Sequence, residues 1–469
     1  MRCLMLICLL LFTLPSLALD RSRVEGYLLP NGLQVILKPG YESDHVSIRL
    51  VIGVGLDDFP CDQRELPHLL EHLLFSGLDE SGEGGLEMRL QSLGGEWNAF
   101  TSNADTTFVI EAPARNQRKV LDLLLALVRD TQIDAKALAN AKKIIEREDG
   151  GHYSRVQRWL DRQDIGHRAS DQLAEELGLK CAERSDVDDM TLKQVNQLRE
   201  HWYAANNMTL IVVGGLDKLL PAYLERSYGE LPPSEPGERR DLETITHQAE
   251  QRRTLTRGWL GDSAKLHWLF IEPVLDVDHE QTLDLVSRYL DWALYEQLRL
   301  RHGLSYGPSV QRESFGDSGM LSLNADLERD DVDAAVSVLE GLFDTLRKDG
   351  LDAQTFARIK DAAIARESWS SQGNSALADY YWGGLNSYSD GRYQDPIGKL
   401  RKVKLEEANA ALRELLKSPG YLRIEQPLMA YDELYGLVGL LLASLLAIGL
   451  LRRRRQPPPP RPSGATRHR

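Results

Sequence analysis

Apolar residues along the first half of the chain recur at two periods, and the switches between them mark out the elements. Short apolar runs at 26–29, 33–38, 46–54, 97–101 and 107–112 predict strands, with Asn31-Gly32 as the turn of a first hairpin. Apolar positions three and four apart over 66–74, 85–93, 116–131, 135–148 and 191–202 predict helices. This mixed order predicts an α+β layer and not a doubly wound parallel sheet. Residues 231–250 contain Pro232-Pro233-Ser234-Glu235-Pro236-Gly237 and many charges, and read as a linker. Beyond it the same style returns, with strands near 255–256 and 266–270 and long helices at 279–301 and 331–348. A chain of 469 residues exceeds one compact core, so the pattern divides it into two domains, 24–230 and 251–427.

Both ends depart from that pattern. Residues 1–18 read as a secretory signal: Arg2, an apolar run over 3–14, then Ser16-Leu17-Ala18 as a small-x-small cleavage site. Residues 434–451 are 18 uncharged, almost wholly apolar positions, enough for a transmembrane helix of roughly 27 Å. Arg452, Arg453, Arg454 and Arg455 follow at once and mark the cytoplasmic side, so 452–469 forms a basic, Pro-rich inward tail. The predicted localisation is the cytoplasmic (inner) membrane, with one pass and the body on the periplasmic side. Gly439, Ala443 and Ala447 share one face of the span, a weak pattern for close helix pairing.

Charge and cysteine count refine this picture. Formal net charge is −14; setting aside the signal's one arginine and the tail's seven leaves 48 basic against 70 acidic residues, a balance of −22. Such a body repels nucleic acid, which is excluded as a partner. Cys61 and Cys181 are the only cysteines outside the signal. An exported compartment permits a disulfide between them, and two free thiols fit the sequence equally.

The candidate chemistry lies in His68-Leu69-Leu70-Glu71-His72. On a helix His68 and His72 lie one above the other and can offer two imidazoles to one metal. Glu71 falls on nearly the same face and can meet a metal-bound water without being a ligand, the inverted zinc-peptidase pattern H-x-x-E-H. Leu66, Leu69, Leu70 and Leu73 form the opposite, core-facing stripe. A catalytic zinc takes a third protein ligand, and Glu148 is the candidate. It continues the stripe of Ala137, Leu138, Ala141, Ile144 and Ile145, where a carboxylate is costly to bury unless bound. The other reading of Glu148 is a helix-end residue fraying into water.

These residues resemble the pitrilysin family of zinc peptidases, whose members include insulinase-like enzymes and mitochondrial processing peptidase. Glu148 follows His72 after 75 residues, as in that family. Leu29-Pro30-Asn31-Gly32-Leu33 resembles its first hairpin, and Phe75-Ser76-Gly77 the segment after its zinc helix. Gly94-Gly95-Glu96-Trp97-Asn98-Ala99-Phe100-Thr101-Ser102 is similar to its next turn and edge strand. Residues 201–215 resemble the end of its first domain. The likeness covers most of 24–425, with independent motifs in one order.

The resemblance implies two similar domains, each a mostly antiparallel sheet packed with helices, of which only the first binds metal. It implies one Zn2+ per chain on His68, His72 and Glu148, Glu71 as general base, and a peptide substrate added as a strand along Asn98, Ala99, Phe100 and Thr101. Asn98 either helps to position substrate or stabilises a turn. Arg299 and Tyr306, seven residues apart around Gly303-Leu304, are similar to a pair that holds a substrate carbonyl and its developing oxyanion. Read alone, the same stretch is a helix C-terminus with Gly303 as its cap. Relatives of this length work in pairs, which implies a homodimer or a related partner subunit, with Arg299 and Tyr306 serving the partner's zinc. Two departures stand out: Ala141 occupies the place of a helper glutamate, and Pro67 precedes His68, where it suits a first helical turn. The leading reading is a membrane-anchored zinc endopeptidase. The alternatives are a non-catalytic scaffold or peptide-binding member, and a binder with structural zinc, for which His152 could be a fourth ligand.

Overall fold

A computed structural model describes residues 20–76, 83–148, 168–181, 187–235, 237, 249–273, 280–315 and 318–454. The signal 1–18, His152, most of 238–250 and the end of the tail lie outside the described residues. Two mixed sheets organise the chain. The first contains β1 (Glu25–Leu28), β2 (Gln34–Pro39), β3 (His45–Ile52), β4 (Glu96–Thr101), β5 (Thr106–Pro113) and β6 (Met208–Gly214), in the order β1-β2-β6-β3-β5-β4. Only β2 and β6 run parallel. Gly32 turns the β1–β2 hairpin at φ +87°, a conformation that a Cβ would strain.

The second sheet contains β7 (Arg252–Thr256), β8 (Ser263–Ile271), β9 (Ser309–Phe315), β10 (Ser318–Glu328) and β11 (Tyr421–Gln426), in the order β7-β11-β8-β10-β9. Its parallel pair is β7 with β11. Leaving out β1, the two sheets share one topology: first strand, last strand, second, fourth, third. The fold is thus two similar α+β units, each with a mostly antiparallel sheet.

One face of each sheet carries its main core. On the first lie α1 (Leu66–Ser76), α2 (Glu83–Ser92), α3 (Gln117–Asp130), α4 (Ala135–Glu148), α6 (Leu192–Trp202) and α7 (Leu220–Ser227), α5 being placed below. On the second lie α8 (Glu280–Leu294), α9 (Val332–Asp349), α10 (Ala353–Ser370), α12 (Pro396–Lys402) and α13 (Leu405–Leu415). Thr191 caps α6 through a capping box with Gln194. The linker is not free at its start: Leu231 is buried, and the Pro232 carbonyl accepts from Ala205 N.

The other faces are covered by an exchange that sequence order does not follow. Helix α5 (Ala169–Glu176), from the first segment, packs Ala169, Leu173 and Ala174 on Leu269, Phe315 and Met320 of the second sheet. Helix α11 (Asn374–Gly383), from the second segment, packs Leu377, Ala378 and Tyr381 on Ile36, Val51, Ile211 and Val213 of the first. A buried arginine fixes each crossing. Arg49 of β3 meets Asp379 of α11 at 2.8 Å, and Arg423 of β11 meets Glu176 of α5 at 2.7 Å. Arg49 also pairs with Glu111 of its own sheet at 3.0 Å, so α11 adds a second carboxylate there. A buried guanidinium such as Arg423, left without Glu176, would cost about 3–5 kcal/mol, so the second sheet depends on α5.

Cys61 and Cys181 are disulfide-bonded, with Cα atoms 5.6 Å apart. At the C-terminus α14 (Tyr431–Arg454) is almost wholly exposed. Among the described residues it is the one helix long and apolar enough to cross a membrane, by length and composition.

Candidate metal centre

Helix α1 buries Leu66, Leu69, Leu70 and Leu73 in the first core, which turns His68, Glu71 and His72 toward α4 and β4. Pro67 sits in its first turn, where a missing N–H leaves no bond unmade. Helix α4 lies against α1 through buried Ala141 and Ile145, and its last residue, Glu148, reaches the two histidines.

Three donor atoms meet there. His68 Nε2 and His72 Nε2 are 3.2 Å apart, and Glu148 Oε2 is 3.4 Å from each. Zinc held tetrahedrally at about 2.0–2.1 Å separates neighbouring donors by about 3.3–3.4 Å, so this triangle matches one face of such a site. Two imidazoles and a carboxylate are also a donor set that suits zinc. Among the described residues, these three form the group that could hold a metal. Three protein donors leave a fourth position for water, the pattern of catalytic zinc.

Glu148 itself differs from the expected buried carboxylate: its side chain is 48% exposed. The buried stripe of α4 ends at Ile145, and Glu148 is the last residue of the helix, three positions beyond it. Its position is explained by the histidines it faces, not by burial.

Two supporting residues take roles that the sequence reading did not give them: Glu65, which it did not name, and Thr101, which it placed only along the peptide-pairing strand. Glu65, buried just before α1, places Oε2 3.0 Å from His68 Nδ1. A carboxylate only accepts, so Nδ1 carries the proton and Nε2 presents its lone pair to the metal position. Burial works against a charge on His68, but the Glu65 hydrogen bond and the charges of Glu65, Glu71 and Glu148 outweigh it and raise its pKa above the ordinary value. Spacing carried a signal for Glu65, since i and i+3 share a helix face. The second residue is Thr101, whose hydroxyl donates to Glu71 Oε2 at 2.6 Å. Glu71 is 8% exposed and held from β4 as well as from its own helix. Replacing Glu65 by alanine is expected to weaken zinc binding by about 10–100-fold, read by competition with a coloured chelator.

The remaining expected residues fall in two places. Asn98, Ala99 and Phe100 lie on β4, the outermost strand of the first sheet, next to the metal group. Asn98 is in the strand and not in a turn, and its side-chain oxygen accepts the Ala99 N–H at 2.9 Å. Phe100 stacks on Trp382 of α11. Arg299 and Tyr306 lie in the second unit, where α8 continues as a π-helix, Tyr295–Arg301. Arg299 donates to the Tyr306 carbonyl at 2.6 Å and lies over the Tyr306 ring. Gly303, at φ +66°, turns the chain after that helix. The Tyr306 side chain is open to solvent, and the hydrogen bonds and ring contacts of the pair among the described residues join it to neither α1 nor α4. Ala141 is buried between α1 and α4, where a helper carboxylate would have to displace core packing.

Comparison with known proteins agrees with this architecture. The family model "Insulinase (Peptidase family M16)" matches residues 34–161, and "Peptidase M16 inactive domain" matches 189–363. The "Uncharacterized zinc protease YmxG" of Bacillus subtilis is 21% identical over 425 residues, covering 86% of this chain and 98% of that protein. Mitochondrial-processing peptidase subunit beta of Saccharomyces cerevisiae is 23% identical over 218 residues, covering 44% of this chain and 45% of that one. The crystal structure of the periplasmic protease PqqL from Escherichia coli superposes with a TM-score of 0.67 at 18% identity, covering 87% of this chain and 48% of that chain. With both family models matched in order, and the metal group inside the first, the chain belongs to the insulinase family of peptidases, family M16, the family its motifs resembled.

Proposed function

We propose that the chain is a zinc-dependent endopeptidase, anchored by α14 in the cytoplasmic membrane, that cuts peptides or unfolded protein segments on the periplasmic side. The observation that carries this reading is the donor triangle of His68, His72 and Glu148 with the buried Glu71 on the same helix face. Those three residues would hold one zinc, which supplies a Lewis acid and makes water reactive near neutral pH. Glu71 takes the proton from the attacking water on its carboxylate and returns it to the leaving amine. Thr101, fixed in β4, keeps that carboxylate from turning away. The peptide adds to the free edge of β4 along Asn98, Ala99 and Phe100, a mode that reads backbone more than side chains.

Arg299 and Tyr306 supply the substrate side in a pair of chains, each pair of side chains closing over the centre of the other chain. The exposure of Tyr306 supports that arrangement. The location is supported by the signal-like start, the apolar α14 followed by arginines, and the disulfide, which persists in an oxidising compartment. Full-length protein in detergent is expected to cleave members of a library of unstructured peptides, to stop when a chelator is added, and to recover with zinc. A zinc-loaded protein that cuts no member of the library would establish a binding scaffold instead.

A further inference from the structure

We infer that the end of the second sheet from which α14 leaves is a membrane-contact surface that seats the body on the lipid headgroups in one fixed orientation. The inference rests on the reading of α14 as a span. Strand register defines that end: Gln426 of β11 pairs with Thr256 of β7, and Glu328 of β10 pairs with Ser263 of β8, so four strand termini lie side by side.

Only 427–430 separate β11 from α14, and they are not a tether. Leu428 N donates to Gly258 O, Met429 N to Trp259 O, and Gly261 N to Met429 O, each at 3.1 Å. Tyr431 N donates to Asp262 Oδ1 at 3.0 Å. Glu433, in the first turn, accepts from Ala430 N at 2.8 Å and pairs with Arg329 at 3.1 Å. The helix therefore leaves the body through a hydrogen-bonded corner, and its direction is set by the fold.

Beside these charged groups the corner exposes a run of large apolar and aromatic side chains. Trp259, Leu260, Leu428, Tyr431 and Tyr435 are all exposed there. Leu260 bridges to Met429, two residues before the helix, and Tyr435 lies one turn into it. Trp and Tyr with a polar edge and an apolar body are the side chains that settle at the membrane–water boundary. A bilayer crossed by α14 begins within about one helical turn, 5.4 Å, of these groups, which makes lipid the occupant.

The test uses the full chain in phosphatidylcholine vesicles containing a lipid with a nitroxide near the headgroup. Helix α14 has no tryptophan, so tryptophan quenching reports the body alone. Wild type is expected to be quenched relative to unlabelled vesicles, and Trp259→Phe to lose most of that quenching. Carbonate extraction of the same vesicles reads the span separately. Retention through carbonate with equal or absent quenching in the two proteins overturns the contact surface, leaves the span intact, and means that water or a second copy covers the patch. Release by carbonate overturns the span and the contact surface together.

Discussion

Replacing Glu71 by glutamine is expected to lower kcat by roughly 10²–10⁴-fold while zinc content stays at the wild-type level. The exchange preserves shape and keeps an oxygen to accept the Thr101 hydroxyl, now 2.6 Å from Glu71 Oε2. It removes only the ability to hold a proton at that carboxylate. His68, His72 and Glu148 are untouched, so metal content by elemental analysis and kcat on one peptide separate base from ligand. Loss of zinc in the variant would make Glu71 a ligand, and unchanged kcat would move the base to another group. His72→Ala provides the contrast, because it removes a donor 3.2 Å from His68 Nε2 and should lose zinc and activity together.

Opening the Cys61–Cys181 bond is expected to cost about 2–5 kcal/mol of stability, the range set by the entropy of a long cross-linked loop. The bridged residues are 120 apart in sequence. Cys61 starts the short turn Cys61–Gln63 that leads into α1, while Cys181 follows α5, the helix lent to the second sheet. The bond therefore ties the approach to the metal helix to an element docked on the other unit. Thermal unfolding with and without reductant reads the effect as a fall in Tm of several degrees. The Cys61→Ser/Cys181→Ser protein should unfold at the lower temperature in both conditions. An unchanged Tm once both thiols are shown to be free would remove the bridge from the account of stability.

Much of the secondary structure was legible because one-sided burial imposes a period on the sequence. The helix expected at 135–148 has those bounds in α4, and the strands expected at 97–101 and 107–112 differ from β4 and β5 by one residue at their ends. Where backbone geometry departs from the ideal, the period says nothing. The helix expected at 279–301 is α-helical only to Leu294 and then π-helical, because a widened turn leaves the spacing of Leu290, Leu294 and Leu298 intact. Periodicity also misjudged Glu148, since it reports direction on a helix and not where the core beneath it ends.

His68, Glu71 and His72 owe their grouping to local geometry alone, so their relation was written in five consecutive residues. The arrival of Glu148, with 75 residues between it and His72, depended on α4 packing on α1 through Ala141 and Ile145. Spacing hinted at Glu65, but its hydrogen bond to His68 and that of Thr101 to Glu71 belong to the folded structure. The exchange of α5 and α11 was invisible, because an amphipathic helix states that it must cover an apolar face but not which one. In the folded chain each apolar face also presents a buried arginine, and the helix that covers it brings a carboxylate to match, Asp379 for Arg49 and Glu176 for Arg423. Short-range periodicity determined the elements, the inverted motif and the apolar end. Long-range packing and the pairing of buried charges decided how two similar units were joined into one molecule.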